Sequence, residues 1–311
     1  MMSKQDHTSR TDGATEPLYR IGEFDVSVRS DLRQALDDFA ALYPGCGPTR
    51  ARGDRVIRME VRKNRRALPG SKRYSIYGDG ERIGRVRRAR EVLPQLEWGI
   101  NWRLIQTRPE YLQVHAATLA RAGRGVVLAG TSGSGKSTLA AGLLSRGWAY
   151  FSDEFALIDP HRLQLHPFPK AVCIKAGSFD VVRHLKLRLS GNRHYAKAIK
   201  GEVGYISPSA IAGRAAAQPC PIHLVLFPRY TGDSEPRLFP VSRARAAFAL
   251  AGQALNRNVF GHRAMEMLKT VVEGAQCFGL EAGPIDETCD LVESLLPLAT
   301  SSVTDAESRA A

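Results

Sequence analysis

The chain has 311 residues, of which 43% are apolar, and carries a formal net charge of +13 at pH 7. It contains no apolar run near the length of a membrane span, which excludes a helical membrane protein and predicts one large hydrophobic core or two smaller ones. Five scattered cysteines without a CxxC pair are unlike either a disulfide framework or a zinc site, and they favour a reducing, cytoplasmic environment.

Both ends of the chain are polar and predict disorder. Residues 1–17 lack the apolar stretch of a secretory signal and are interpreted as a disordered leader, and residues 299–311 as a frayed, disordered tail. Between them, the patterns divide the chain into a smaller basic α+β region at 18–108 and a larger α/β part at 109–298.

The basic region predicts strands, a helix and a hairpin in chain order. A strand-like opening leads into a helix for which Ser30 is the expected N-cap and Asp31 lies in the first turn. Basic strands follow and turn at Gly78-Asp79-Gly80, which is a hairpin pattern. An apolar helix ends the region, and the helical spacing of Trp98 and Trp102 predicts that both belong to the core.

Positive charge is concentrated in one segment. Residues 50–90 contain 15 Lys/Arg and 4 Asp/Glu, a net charge of +11 out of the +13 of the chain. Basic and apolar residues alternate there, as in a sheet with one solvated face. The same charge would also steer an acidic protein partner, whereas nucleic acid is disfavoured because aromatic stacking residues are sparse.

The larger part opens with an alternating strand that contains His115, and a turn leads from it into a second apolar strand. Because the two strands are neighbours in the chain, we expect His115 close to the point where the second strand ends. Further along, the patterns predict a hairpin, two strands and three helices.

The strongest signal is GTSGSGKS at residues 130–137, which matches the phosphate-binding pattern G-x-x-x-x-G-K-[ST] at every fixed position. Glycines let backbone N–H groups turn inward around phosphate oxygens, and the following helix presents its positive end to them. In this pattern Lys136 reaches the β- and γ-phosphates and the Ser137 hydroxyl ligates Mg²⁺. The predicted nucleotide-binding residues are Gly130, Thr131, Ser132, Gly133, Ser134, Gly135, Lys136, Ser137 and Thr138.

A pair of acids, Asp153 and Glu154, follows the next short apolar strand, where such proteins bring a carboxylate to the metal. In motor and assembly ATPases the Asp of such a pair holds metal and the Glu polarises water, whereas in a kinase one carboxylate accepts the proton of a substrate hydroxyl. The residues alone therefore leave three functions open: a kinase, an ATPase or switch that acts with a bound partner, and a nucleotide-binding scaffold.

Several motifs together resemble the HPr serine kinase/phosphorylase family. His115 precedes the first glycine of the loop by fifteen residues, Arg146-Gly147 ends the predicted helix, and the acids at 153–154 follow a short strand. The chain is more similar to the HPr-kinase-related proteins of the kinase A group, which share motifs with it over most of its length. These motifs fall at residues 97–101, 115–117, 133–138, 146–148, 152–154, 167–169, 200–203 and 226–228.

The resemblance implies an α/β P-loop kinase core of the HPr kinase/phosphoenolpyruvate carboxykinase type, with a mixed sheet and flanking helices. It also implies that ATP with Mg²⁺ is the phosphate donor and that a Ser/Thr hydroxyl of a protein or peptide is the phosphate acceptor. Carried across, Asp153 is the base toward the acceptor, Glu154 binds the metal with Ser137, and His115 lies near the transferred phosphate. The ATPase template gives the two acids the reverse roles, so the division of work between Asp153 and Glu154 stays open. Related proteins accompany small PqqD-like peptide-binding partners, which suggests such a partner by association. The bifunctional relatives assemble, but no interface motif carries over to this chain, so an oligomer stays open.

Two departures limit the resemblance. The bifunctional enzymes carry a Glu-x-Arg-Gly loop tied to phosphorolysis, and the corresponding region here reads PFPKAVCIKAGSFDVVRHL, so we expect no phosphorylase activity. The N-terminal part also differs, so the HPr docking mode does not carry over, and a small-molecule kinase stays open.

The charge on a transferring phosphoryl group must be neutralised by a cation. The candidate cations are Lys175, Arg183, Lys200 and Arg229. Lys200 is favoured because it precedes a Gly and a strand.

Overall fold

A computed structural model describes residues 18–44, 56–191, 194–198, 201–211 and 218–296. Some predictions lie outside these residues: the leader at 1–17, the tail at 299–311, Lys200, and the start of the basic segment at 50–55. No helix in the described ranges is long and apolar enough to cross a membrane.

The N-terminal part forms a five-stranded sheet with two helices. Its elements are β1 (Leu18–Ile21), β2 (Phe24–Ser30), α1 (Arg33–Leu42), β3 (Val56–Lys63), β4 (Tyr74–Gly78), β5 (Glu81–Val86) and α2 (Val92–Thr107). The strand order follows the numbering, with β2 and β3 parallel and the other neighbours antiparallel. The predicted hairpin is confirmed, since Asp79 (φ 48°) and Gly80 (φ 83°) make the two-residue, left-handed turn between β4 and β5.

The predicted start of α1 is wrong. Ser30 is the last residue of β2, where it pairs with Val61, and the helix begins only at Arg33. The Ser30 hydroxyl accepts a hydrogen bond from the Leu32 N–H, and the Asp31 carboxylate accepts one from a backbone N–H of β3. Sheet pairing therefore takes up Ser30, and a bend takes up Asp31, although both residue types are equally typical of a helix start.

The predicted burial of the two tryptophans of α2 is also wrong. Trp98 is 39% exposed and Trp102 is 38% exposed, and their rings stack on each other with centroids 5.6 Å apart. The buried face of the helix carries Leu96, Ile100 and Leu104 instead. Two apolar stripes on one helix share the same period, so spacing alone did not distinguish them.

Basic and apolar residues of the N-terminal sheet alternate as predicted. Met59, Val61 and Ile76 point into the core. The strand register brings the exposed arginines to the opposite face of the sheet, which we term the basic face: Arg58, Arg62, Arg82 and Arg85.

The rest of the chain builds a mixed α/β architecture. It runs through β6 (Leu112–Arg121), β7 (Arg124–Ala129), α3 (Lys136–Ser145), β8 (Ala149–Ser152), β9 (Phe155–Ile158), β10 (Gln164–His166), β11 (Val172–Lys175), α4 (Phe179–His184), β12 (Tyr195–Lys197), β13 (Gly201–Ile206), β14 (Cys220–Tyr230), β15 (Arg237–Pro240), α5 (Arg243–Gly252), α6 (Arg257–Phe260), α7 (Arg263–Glu273), β16 (Gln276–Ala282) and α8 (Ile285–Ser294). An eight-stranded sheet has the order β10-β9-β6-β7-β14-β16-β15, with β8 also paired to β6, and β11, β13 and β12 form a small third sheet.

Helices cover both faces of the eight-stranded sheet. Apolar residues of α5 and α7 pack on one face, and those of α3 and α8 pack on the other together with the third sheet. A separate cluster joins Phe24 and Leu96 of the N-terminal part to Phe155, Phe168 and Tyr205 of the larger part. The N-terminal part and the larger part therefore share one hydrophobic cluster, and the division at residue 108 stays a prediction.

The contact between α3 and α8 explains the Arg146-Gly147 motif. Gly147 (φ 97°) ends α3 in the left-handed conformation that favours glycine, and the Arg146 guanidinium donates to the Asp286 and Asp290 carboxylates of α8. A Cβ on Gly142 would lie only 2.7 Å from the Cys289 sulfur, so glycine at this position lets the two helices approach each other closely. The motif therefore fixes helix packing.

The thiol of Cys289 makes this helix contact sensitive to alkaline pH. Burial raises its pKa to about 12, above that of an unfolded cysteine, so the stabilisation by the neutral thiol is complete below about pH 8.5 and is lost as pH rises toward 12. We expect the wild-type protein to lose about 2 kcal/mol more of its unfolding free energy than Cys289→Ala between pH 8 and pH 10.5. Urea unfolding at both pH values measures the difference, and equal losses in the two proteins would contradict it.

Candidate functional site

Four parallel strands end at one edge of the large sheet. β7, β14 and β16 are mutually parallel, and β8 runs the same way because both it and β7 are antiparallel to β6. Ligands of α/β sheets bind in the crevice outside such carboxyl ends. A cavity of about 600 Å³ lies there, and its lining includes His115, Lys136, Asp153 and Glu154.

The glycine-rich loop connects β7 to α3 and needs its glycines. Gly130, Gly133 and Gly135 have φ values of 157°, 92° and 96°, and the latter two lie well within the left-handed region. The Lys136 ammonium donates to the carbonyl oxygens of Gly130 and Thr131 at 2.7 and 2.9 Å, so it is held within the loop. The first N–H groups of α3 face no earlier helical turn, which makes this end of the helix suited to an anion.

The predicted loop residues divide between the cavity and the support behind it. Those that line the cavity are Ser132, Gly133, Gly135, Lys136, Ser137 and Thr138. Gly130, Thr131 and Ser134 complete the turn behind them. The Thr138 hydroxyl lies 2.8 Å from the Ser178 hydroxyl, which fixes the start of α3 to the segment ahead of α4.

The two acids lie in the turn between β8 and β9 with different neighbours. Asp153 is 5% exposed, and its Oδ2 accepts hydrogen bonds from the Ser137 hydroxyl at 3.1 Å and the Cys173 N–H at 3.3 Å. Glu154 lies beside His115, whose Nδ1 is 3.1 Å from the Glu154 carbonyl oxygen and 3.7 Å from its Oε2. The structure thus brings the acids, Ser137 and His115 to one cavity.

Of the three candidate cations that the structure describes, one lies at this cavity. Lys175, at the end of β11, has its Nζ 3.4 Å from the Ser132 hydroxyl and faces the glycine-rich loop. Arg183 is exposed and pairs with a neighbour on α4, and Arg229 pairs with Glu281. Lys200 lies outside the described residues.

A further lysine near the acids was missed by sequence reasoning. Lys197 of β12 has its Nζ 3.9 Å from the Cys173 sulfur. Burial by itself lowers the pKa of Lys197, but Cys173 and the nearby carboxylates, Glu154 among them, outweigh it and hold the pKa above its ordinary value. Its ammonium therefore offsets part of the negative charge of the acidic pair. The sequence offered no signal for it, because it reaches the acids only through the pairing of β11, β13 and β12.

The oxygen donors of the site fit Mg²⁺. Mg²⁺ takes one or two carboxylates together with substrate phosphates and does not need a cage of protein side chains. Within the described ranges, no group of three or more His, Cys, Asp or Glu side chains could hold a metal ion by itself. The Ser137 hydroxyl and the Asp153 carboxylate lie 3.1 Å apart and match the few protein ligands that Mg²⁺ needs when phosphates supply the others.

Comparisons with known proteins give partial matches. A family profile described as "SynChlorMet cassette protein ScmC" matches residues 101–188, which include His115, the glycine-rich loop and the acidic pair. It covers less than half of the chain and differs from the family that the motifs resemble. The structure of the Hpr(Ser) kinase/phosphatase from Coxiella burnetii is similar over 59% of this chain and 92% of that chain, with 15% identity and a TM-score of 0.28, too low to carry an argument. No curated protein matches the chain.

Proposed function

We propose that the chain is a phosphotransferase: an ATP- and Mg²⁺-dependent kinase that transfers the γ-phosphate to a Ser/Thr hydroxyl of a protein or peptide, without phosphorylase activity. One observation carries the proposal. Lys136 and the glycine-rich loop share a single cavity with the acidic pair and His115. A phosphate site and a proton acceptor side by side are the two parts that phosphoryl transfer to a hydroxyl requires.

The residues of the cavity can divide this work among them. The loop and the start of α3 bind phosphate oxygens, and Lys136 compensates their charge. Lys175 faces the loop and adds a second positive charge to the lining of the cavity. Mg²⁺, held by Ser137 and Asp153, would neutralise further charge on the phosphates.

The contacts of the two acids support the reverse of the roles that the resemblance implies. Asp153 accepts from Ser137, the residue that binds metal in this loop pattern, so Asp153 is the better metal ligand. Glu154 lies beside His115 and is half-buried, which suits a carboxylate that takes the proton of an incoming hydroxyl. We therefore assign the metal side to Asp153 and the base to Glu154.

The test is transfer of labelled γ-phosphate into a lysate of the source organism. We expect wild-type protein to label an acceptor and Glu154→Gln to lower the labelling rate about 100-fold or more, with ATP affinity nearly unchanged. Asp153→Asn is expected to abolish the Mg²⁺ dependence of ATP binding. Glu273→Gln, which alters an exposed acid of α7, is the matched control and should behave as wild type.

Two outcomes would contradict parts of the proposal: the first would overturn the kinase, and the second would overturn the roles assigned to the two acids. Release of free phosphate with no labelled product would replace the kinase by an ATPase or switch that acts with a partner. Intact Mg²⁺-dependent ATP binding in Asp153→Asn, together with lost transfer, would restore the roles that the resemblance implies.

We propose further that an acidic acceptor, or a small PqqD-like partner that carries it, docks on the basic face. The support is charge complementarity, since Arg58, Arg62, Arg82 and Arg85 lie on one solvated sheet face and long-range attraction speeds association. In the same labelling experiment, the rate should fall as salt is added, and Arg82→Glu/Arg85→Glu should lower it without changing ATP affinity. A rate that is insensitive to both changes would exclude docking there.

A further inference from the structure

The cavity has a second wall that the phosphotransfer chemistry leaves unused. Across the glycine-rich loop from the acids, its lining is formed by Tyr230, Asp233, Ala282, Gly283, Pro284, Ile285 and Thr288. The strand order explains the separation. β6, which carries His115, lies on one side of β7, whereas β14 and β16 lie on the other, and this wall follows their carboxyl ends.

The wall is built from two loops that are fastened to each other. The Thr231 backbone N–H and hydroxyl both donate to the Ala282 carbonyl, at 2.9 and 3.2 Å, and the Gly283 N–H donates to the Thr288 hydroxyl at 3.1 Å. A Cβ on Gly283 would lie only 1.8 Å from the Ser234 carbonyl oxygen, so the two backbones approach as closely as glycine allows. The wall is therefore formed before any ligand binds.

Its chemistry suits a flat aromatic ligand. Tyr230 is 60% exposed although it is a large aromatic residue, and its Cβ lies 3.6 Å from where a Cβ on Gly135 would be, beside the start of α3. Pro284 and Ile285 add apolar surface, and the exposed Asp233 adds a carboxylate that accepts hydrogen bonds. An aromatic face with one convergent acceptor is what a nucleobase requires, since every base has a stacking face and ring-edge donors.

We propose that this wall binds the base of the nucleotide: a purine stacks on Tyr230, and Asp233 accepts from its N–H donors. The inference rests on the proposed function, because it takes the triphosphate to lie in the glycine-rich loop. It orients the nucleotide across the sheet edge, with the base over β14 and β16 and the γ-phosphate toward Asp153 and Glu154. The acceptor then enters from the side of His115 and Lys175.

The test compares binding of ATP with binding of inorganic tripolyphosphate to the full chain by calorimetry, with Mg²⁺ present. We expect wild-type protein to bind ATP more tightly than tripolyphosphate, and Tyr230→Ala to weaken ATP about tenfold while leaving tripolyphosphate unchanged. Tyr230→Phe should keep wild-type ATP affinity. Gly283→Ala, which displaces the Ser234 carbonyl, should weaken ATP selectively as well.

The control is Phe248→Ala, which removes another exposed aromatic side chain (68% exposed) from α5, on the opposite face of the sheet. Equal affinities of wild-type protein for ATP and tripolyphosphate would overturn the base site and leave the phosphate site standing. An ATP affinity that Tyr230→Ala does not change would also overturn it. Failure of both ligands to bind would overturn the proposed function together with the inference.

Discussion

Replacement of Lys136 by methionine is expected to lower phosphoryl transfer by about 100- to 1000-fold, the usual effect of removing one group that stabilises transition-state charge. The Lys136 side chain is 7% exposed and is held by the carbonyl oxygens of Gly130 and Thr131. Methionine keeps the length of the apolar stem but supplies no charge to the β- and γ-phosphates. Binding of tripolyphosphate and the rate of labelled transfer measure the two parts of the loss.

Lys269→Met is the matched control for Lys136→Met, because Lys269 is an exposed lysine of α7 whose side chain is 71% accessible. It should retain wild-type binding and transfer. If Lys136→Met retained transfer within about threefold of wild type, the glycine-rich loop would not be the phosphate site.

Replacement of Lys170 by methionine is expected to cost about 3–5 kcal/mol of unfolding free energy, because it leaves a buried carboxylate without its countercharge. Lys170 is 2% exposed, and its Nζ lies 3.0 Å from Glu97 Oε2, 2.6 Å from the Glu97 carbonyl and 2.7 Å from Asn101 Oδ1. The Tyr43 hydroxyl donates to the same carboxylate, and burial with the charge of Glu97 raises the Tyr43 pKa well above its ordinary value. Urea unfolding at neutral pH measures the loss.

The double variant Glu97→Gln/Lys170→Met distinguishes the stability lost through the unpaired charge from the stability lost through packing. It should be less destabilised than the sum of the two single variants, because it leaves no uncompensated ion. Arg33→Met breaks an exposed pair with Asp37 on α1, with side chains 87% and 58% accessible, and should leave stability nearly unchanged. Additive costs in the double variant would mean that the buried charges do not interact.

Local patterns predicted the parts of the site that one short stretch of chain can build. The glycines of 130–135 adopt positive φ as the phosphate-loop pattern requires, and α3 follows directly. The pair at 153–154 directly follows β8, a strand of the same sheet, so the acids meet the loop once β8 pairs with β6. Such features depend on backbone conformation and on neighbours in the chain, and both are visible in a sequence.

Contacts between segments that are far apart in the chain could not be predicted from the sequence. The motif at 97–101 was recognised as a pattern, but the sequence did not show what Glu97 does. In the structure Glu97 forms a buried ion pair with Lys170, which lies 73 positions further along the chain. Trp98 and Trp102 of the same helix have core spacing and lie on the surface, because the sheet meets the other stripe of α2. Which face of a helix is covered depends on what packs against it.

By itself, the sequence determined the mixed α/β class, the loop at 130–137, the acids at 153–154 and the separation of positive charge into one segment, since each is local in the chain. Only the tertiary structure decided that Lys175 faces the glycine-rich loop, that Lys197 lies near the acids, and that Tyr230 forms a wall with the loop after β16. The reason is physical, because these positions depend on the strand order and on the close approach of two backbones at Gly283. The spacing of apolar and polar residues along the sequence shows neither of these.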